Sequence, residues 1–256
     1  QRQCGYSYTC CRIATGSLVV IDTNLVVGIC LLLPVLGAFL VLILGSRPNV
    51  RETATLLTGG LTFWHVWGLL HHLREGARPR LELLEIVPGV QLAFEVEPLG
   101  LLFALVASFL WIVTTLYAIG YMRGHHEKNQ TRFFFFFAIA IAGAMGVAFS
   151  ANLFTLFAFY EILTLCTFPL VTHHQTDEAR KAGRVYLGIL LTTSVAFQLL
   201  AIIWTWQLAD TVDFTEGGIL AGTASNGVLS AILVLFVFGV GKAAVMPFHR
   251  WLPAAM

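Results

Sequence analysis

The stretch FAFYEILTLCTFPLV, Phe157–Val171, carries a single formal charge, Glu161. A bilayer core is about 30 Å thick and takes about 20 mainly apolar residues to cross as a helix. This run reads as most of one such span, with a carboxylate at a depth where a carboxylate is costly. Whether the reading holds depends on what surrounds it.

The chain has 256 residues, 57% of them hydrophobic and 11% charged, with a net charge of +1 and a mean hydropathy of +0.80. A soluble domain carries about 25% charged residues, so this chain lacks the charge to cover a water-facing surface. An integral membrane protein is the natural class, and the small net charge gives no sign of nucleic-acid binding. Cys4, Cys10, Cys11, Cys30 and Cys166 show no metal-ligand spacing or disulfide framework, and Cys30 and Cys166 read as apolar packing residues. Residues 1–17 have no apolar core or cleavage pattern and do not read as a signal peptide. With no initial Met, the simplest expectation is a fragment, or coding sequence read from upstream of the true start.

Working outward from Phe157–Val171, seven apolar runs are long enough to span: 25–46, 54–73, 99–122, 133–150, 152–172, 185–208 and 227–256. Their lengths favour helices over transmembrane strands, which alternate over about ten residues. The expected fold is therefore all-α, a polytopic transmembrane helical bundle of about seven spans. Between spans two and three, LELLEIV and VQLAFEVE flank Pro88-Gly89 and predict a short extramembrane hairpin. Spans four and five are separated only by Ser150-Ala151-Asn152, which forces a tight antiparallel pair. Residues 209–226 form an acidic, glycine-rich loop with Asp210, Asp213 and Glu216.

Basic residues set the expected orientation. One side carries Arg47, Arg51, Arg123, Lys128, Arg132, Arg180, Lys181 and Arg184; the other carries Arg2, Arg12, Arg74, Arg78 and Arg80. The positive-inside rule places the first side in the cytoplasm and the N-terminus outside. The run Phe133–Phe137, five consecutive Phe beside Arg132, reads as an interfacial, lipid-facing belt.

Glu161 is the acidic residue deepest in an apolar run, and Lys242, in VLFVFGVGKAAVMPF, is the basic one. Intramembrane charges usually face a bundle interior or an aqueous cavity. Two of opposite sign suggest a pair, or two stations on one polar path. A purely structural ion pair is the competing reading, although desolvation makes buried pairs poor stabilisers. A proton relay explains the choice of residues better, because a nearby carboxylate tunes how readily a buried Lys gives up its proton. Gly239 and Gly241 precede Lys242, and Pro247 and Pro253 follow, so the last helix is expected to be broken, with Pro247 freeing the Ala243 carbonyl. His249, seven residues after Lys242, would lie on roughly the same helical face and extend the relay. His65 and His72 are also seven apart, but no partner pattern supports haem or metal binding, and His71 and His72 read as interfacial. His125, His126, His173 and His174 fall at loop positions and read as solvated. No Gly-rich phosphate loop, nucleophile elbow or HExxH motif appears, so neither a hydrolase nor a nucleotide-binding enzyme is supported, and no cofactor or metal is expected.

FYEILTLCTFPLVTHH (159–174), EARKAGRVYLGILL (178–191) and GKAAVMPFHRWLPAAM (241–256) together resemble the proton-conducting antiporter-like subunits. These include the large subunits of Mrp-type Na⁺/H⁺ antiporters and the antiporter-like subunits of respiratory complex I and membrane-bound hydrogenases. The likeness is good over residues 95–256 and most specific in the last motif. It implies that Glu161 is the family's fifth-helix glutamate and Lys242 the lysine before a helix break, the two forming the pair that drives or gates proton movement. It implies that His249 is the histidine of the Pro-Phe-His turn, and that Arg180, Lys181 and Arg184 lie in a basic loop. Pro169 departs from the usual motif and could kink the helix near Glu161. The family fold has about fourteen helices in two inverted repeats, and this chain ends inside the broken helix of the first.

The expected organisation is residues 1–24 as a non-membrane stretch of doubtful origin, 25–98 as N-terminal membrane helices with the hairpin, and 99–256 as the first half of a proton-channel domain. The expected role is that of a membrane subunit, most like the Mrp D-type, moving H⁺ with Na⁺ as a candidate counter-ion, with no redox site of its own. Its partners would be other membrane subunits in the inner (plasma) membrane of a bacterium or archaeon. Alternatives are a pumping subunit of a redox-driven complex and a non-transporting scaffold.

Overall fold

A computed structural model describes residues 23–255. Cys4, Cys10, Cys11, Arg2, Arg12 and the expectations for the N-terminal stretch lie outside the described residues. A helical segment falls on each apolar run, the last only over its first half: α1 (Thr23–Ile43), α2 (Pro48–Arg74), α3 (Pro98–Gly124), α4 (Gln130–Ala148), α5 (Leu153–Val171), α6 (Asp177–Thr193) continuing through a π turn (Ser194–Leu199) into α7 (Leu200–Ala209), and α8 (Asn226–Gly239). A short α9 (Trp251–Ala255) follows the break after α8. Among the described residues, five of these segments are long and apolar enough to cross a bilayer: α1, α3, α4, α5 and the α6–α7 unit.

Helix α2 falls outside that group because Thr, Gly, His and charged residues lower its apolar content, and its polar side chains face inward. Arg51, Glu52, Thr55, Thr58 and Thr62 face inward and are buried, while Trp64 is 73% exposed and Leu57, Leu61 and Trp67 also point out. The spacing of three or four residues puts the polar side chains on one stripe. Thr55, Thr58 and Thr62 each donate to the carbonyl four residues back, at 2.8–3.0 Å, so the stripe costs little inside the bundle. α2 packs on α1 and α3 along it.

Helix α4 lies against α1, α3 and α5. Within Phe133–Phe137, Phe134 departs from the belt reading: it is 1% exposed and packs with Val41 and Ala118, while the other four rings are half-buried. Small residues let α4 pack closely, as Gly143 rests on the backbone of Leu163 and Gly146 on the Phe159 ring.

The predicted hairpin is present, with β1 (Arg80–Val87) antiparallel to β2 (Val90–Glu95) around Pro88-Gly89. Gly89 has φ +82°, a left-handed conformation that glycine adopts without a Cβ penalty. The tight turn between α4 and α5 is also as expected, and it knits the hairpin to the bundle. Asn152 caps α5 by accepting the Thr155 N–H at 2.8 Å and donates its Nδ2 to the Gln91 carbonyl at 2.8 Å. The Ala93 N–H donates to Thr155 Oγ1, and the Ala151 N–H to the Ala93 carbonyl. The acidic loop joins the same layer: the Leu153 N–H donates to Val212, and Arg80 donates to Asp213 at 2.9 Å.

Two boundaries differ from expectation. The sixth helix begins at Asp177, so Arg180, Lys181 and Arg184 lie in the first turns of α6 and not in a loop, with Thr176 Oγ1 capping Ala179. Helix α5 runs unbroken through Glu161, and Pro169 sits in its last turns, where it does not interrupt the segment carrying the carboxylate.

Candidate functional site

The site forms where α5 meets the end of α8. Helix α8 stops at Gly239, Gly241–Ala243 form a 3-10 turn, Ala244 takes a left-handed φ of 52°, and a second 3-10 turn covers Phe248–Arg250. The break therefore starts well before Pro247, and no helix runs from 243 to 247 for that proline to interrupt. The α6–α7 unit packs tightly against this stretch. A Cβ on Gly239 would stand 2.6 Å from the Gln198 backbone nitrogen, and one on Gly241 would stand 2.2 Å from Thr193 Oγ1. Only glycine allows this approach, and the π turn after Thr193 brings Thr193 and Gln198 to the same seam. π turns recur at functional sites.

The unwound turn carries Lys242 onto α5. Its backbone N–H donates to the Tyr160 hydroxyl at 3.0 Å, and its Nζ donates to the Tyr160 carbonyl at 3.0 Å and to Thr164 Oγ1. The ammonium also lies 3.7 Å from the centroid of the Tyr160 ring, a cation–π contact. Tyr160 and Thr164 are one turn apart and are buried. Neither was singled out from the sequence; the available signal was their spacing around Glu161, at positions −1 and +3.

Glu161 follows Tyr160 on the same helix. Both carboxylate oxygens are buried, and no group among the described residues hydrogen-bonds to them. Glu161 and Lys242 thus share a site without forming a hydrogen-bonded pair. Consecutive helical residues point about 100° apart, so an amine resting on the Tyr160 carbonyl is beside Glu161 without engaging it. The Glu161 acceptor capacity is unspent, while two of the three Lys242 donors are used.

His249 is placed differently from its expectation. It sits in the second 3-10 turn, exposed. The argument that it shares a face with Lys242 assumed one continuous helix, which the break removes.

A second polar cluster sits at the opposite end of the bundle from the hairpin. Arg51, 3% exposed, donates to Glu52, Gln130 and Thr131 and lies 5.1 Å from the Phe134 ring centroid. Arg123 pairs with Glu52. The sequence placed these charges at the membrane edge; the inward stripe of α2 buries Arg51 and Glu52. His173, expected to be solvated, has both ring nitrogens buried and without a hydrogen-bond partner among the described residues, and Arg132 donates to its carbonyl at 2.6 Å. Burial first, then Arg132, push the His173 pKa below its ordinary value.

The family described as NADH:quinone oxidoreductase/Mrp antiporter, TM matches residues 150–256, and the one described as NADH-Ubiquinone oxidoreductase (complex I), chain 5 N-terminus matches residues 88–134. Over these two stretches the chain is similar to the antiporter-like membrane subunits of complex I and Mrp. It is 32% identical over 165 residues to hydrogenase-4 component B of Escherichia coli K12, covering 64% of this chain and 24% of that protein. It is 25% identical over 226 residues to the "Putative antiporter subunit mnhD2" of Staphylococcus aureus MRSA252, covering 88% of this chain and 45% of the relative. The chain thus spans less than half the length of these two relatives. Two solved structures share the fold. A chain of an archaeal membrane-bound sulfane sulfur reductase matches with TM-score 0.75 and 24% identity over 90% of this chain and 36% of its own length. A chain of the Mrp complex from Dietzia sp. DQ12-45-1b matches with TM-score 0.69 and 17% identity over 92% and 25%.

Proposed function

We propose that this chain is part of a membrane subunit of a multisubunit proton-translocating complex, in which Glu161 and Lys242 carry protons. The observation that carries the reading is an amine donor placed beside a buried carboxylate whose oxygens have no partner among the described residues. The Lys242 amine rests on a carbonyl and a hydroxyl beside a buried carboxylate whose oxygens are unused. A small movement of the unwound turn brings the amine to Glu161, and the reverse movement returns it. Broken helices at membrane depth are suited to such movement because their backbone polar groups line a cavity or are held by neighbours. His249 belongs to this proposal only as an exposed group in the second 3-10 turn of the broken segment.

The mnhD2 relative, which aligns with most of the chain, supports the D-type antiporter reading, with Na⁺ as the candidate counter-ion. Hydrogenase-4 component B and the sulfane sulfur reductase fold favour a second reading, a pumping subunit of a redox-driven complex. We place the chain in a bacterial or archaeal inner membrane with the Arg47, Arg123 and Lys128 end in the cytoplasm, and we take residues 25–98 and 99–256 as its two membrane portions.

The test is Glu161→Gln in the intact complex. The relay predicts that cation-driven ΔpH collapse in everted vesicles is lost while the complex still assembles on a native gel. Retained transport with failed assembly would instead mark Glu161 as part of a scaffold.

A further inference from the structure

The segment after Lys242 closes a circuit back to α5. Trp251 opens α9, and its indole Nε1–H donates to the Gly241 carbonyl at 2.9 Å. The Ala244 N–H donates to the same oxygen at 3.0 Å, so two donors converge on the peptide joining Gly241 to Lys242. The Trp251 ring meets the buried Tyr186 ring edge-on, with centroids 5.6 Å apart. The Tyr186 hydroxyl shares a hydrogen bond with Thr167 Oγ1 at 2.6 Å. Thr167 lies three residues beyond Thr164, whose hydroxyl receives the Lys242 amine, and Thr167 Oγ1 also donates to the Thr164 carbonyl at 3.1 Å.

Lys242 is therefore held from two directions. Tyr160 and Thr164 hold its amide and its amine, and Trp251 holds the peptide just before it. That second hold has a physical need behind it. Backbone released from a helix at membrane depth must find partners within the protein, and the 3-10 bonds of the turn have poorer geometry than α-helical ones. An indole N–H is a donor only, on a rigid ring that Tyr186 keeps in place.

We propose that Trp251 is a positioning residue for Lys242: its indole N–H, braced through Tyr186 on Thr167, fixes the Gly241 peptide and so keeps the Lys242 amine at the level of Tyr160 and Thr164. The functional meaning rests on the reading of Lys242 as a proton carrier, but the readout below does not need transport.

The chain has three lysines, Lys128, Lys181 and Lys242, and the first two are exposed. Native membranes are treated with a membrane-permeant succinimidyl ester, and acylation of each lysine is followed by peptide mass spectrometry. Trp251→Phe keeps a ring and removes the donor. Lys242 acylation should then rise about fivefold, the shift that losing one ordinary hydrogen bond permits, with Lys128 and Lys181 unchanged. Tyr186→Phe, which keeps the ring contact but drops the bond to Thr167, should raise Lys242 labelling by a smaller factor. Wild-type labelling of Lys242 in Trp251→Phe overturns the assignment. An equal rise at all three lysines also overturns it, because the effect is then general loosening. If Lys242 labelling rises as expected while Lys242→Met leaves proton movement intact, the positioning role stands and the relay fails.

Discussion

Tyr160 binds Lys242 twice, with its hydroxyl on the backbone N–H and its carbonyl on the amine, each at 3.0 Å. One residue of α5 thereby fixes both the turn and the side chain of the broken segment, and the next residue on that helix is Glu161. The two bonds can be separated by mutation. Tyr160→Phe removes the hydroxyl and leaves the carbonyl and the ring, so the loss should be that of one buried hydrogen bond, about 1 kcal/mol. Thermal unfolding in detergent should register the loss, and amide exchange at 240–244 should speed up.

The close contact between α8 and the π turn should tolerate no added atom. Gly239→Ala places a Cβ on the Gln198 backbone, which cannot rotate away as a side-chain tip could. Destabilisation of about 1–3 kcal/mol is expected from overpacking. Gly188→Ala on α6 is the control, because its Cβ would meet open space, and it should be neutral or stabilising by up to about 1 kcal/mol through helix propensity. Detergent melting curves of the two variants should move in opposite directions or differ by several degrees.

How much of this was legible in the sequence follows from which signals are local. The spans, the hairpin and the short α4–α5 turn were readable because run length, Pro88-Gly89 and the three-residue gap are features of contiguous chain. Glu161 and Lys242 stood out because charge in an apolar run is conspicuous. Tyr160, Thr164 and Trp251 did not, because Tyr, Thr and Trp are ordinary in membrane helices and their roles depend on which helix lies opposite. The break is legible in Gly239, Gly241, Pro247 and Pro253 together, but the sequence hides that Gly239 and Gly241 lie against a neighbour 41–48 residues away. The inward stripe of α2 was missed for the same cause. Arg51 and Glu52 look like interfacial charges until the Arg123 and Thr131 side chains are brought against them.

Asn152 joins three pieces of chain and should be the most sensitive residue of the extramembrane layer. Asn152→Ala loses the α5 cap and the bond to Gln91 together. A cap alone contributes about 1 kcal/mol, and amides of β2 should exchange faster while those in the middle of α3 do not. Unchanged β2 protection would show that Phe94 and Ala93 packing holds the hairpin without it.

His173 predicts a pH dependence confined to the α5–α6 turn. Its folded pKa lies below the ordinary value near 6.5, chiefly through burial, then through Arg132 and His174, with Glu127 opposing. The unfolded chain then binds more protons than the folded one as pH falls through 6.5, so the contribution is present above that value and is lost below it. Melting temperature should drop on acidification from pH 7 to pH 5.5, and His173→Phe should flatten that slope. A slope unchanged in the variant would assign the titration to another group.

The central claim is that Lys242 carries a proton across its contact with α5, and its most direct measurement is proton movement by the assembled complex with Lys242→Met. Methionine is close in length to lysine and can lie on the Tyr160 ring, but it carries no proton. In everted membrane vesicles, with assembly checked on a native gel, the relay predicts that cation-driven ΔpH collapse disappears while the complex remains intact. Collapse at the wild-type rate in the intact Lys242→Met complex would contradict the account.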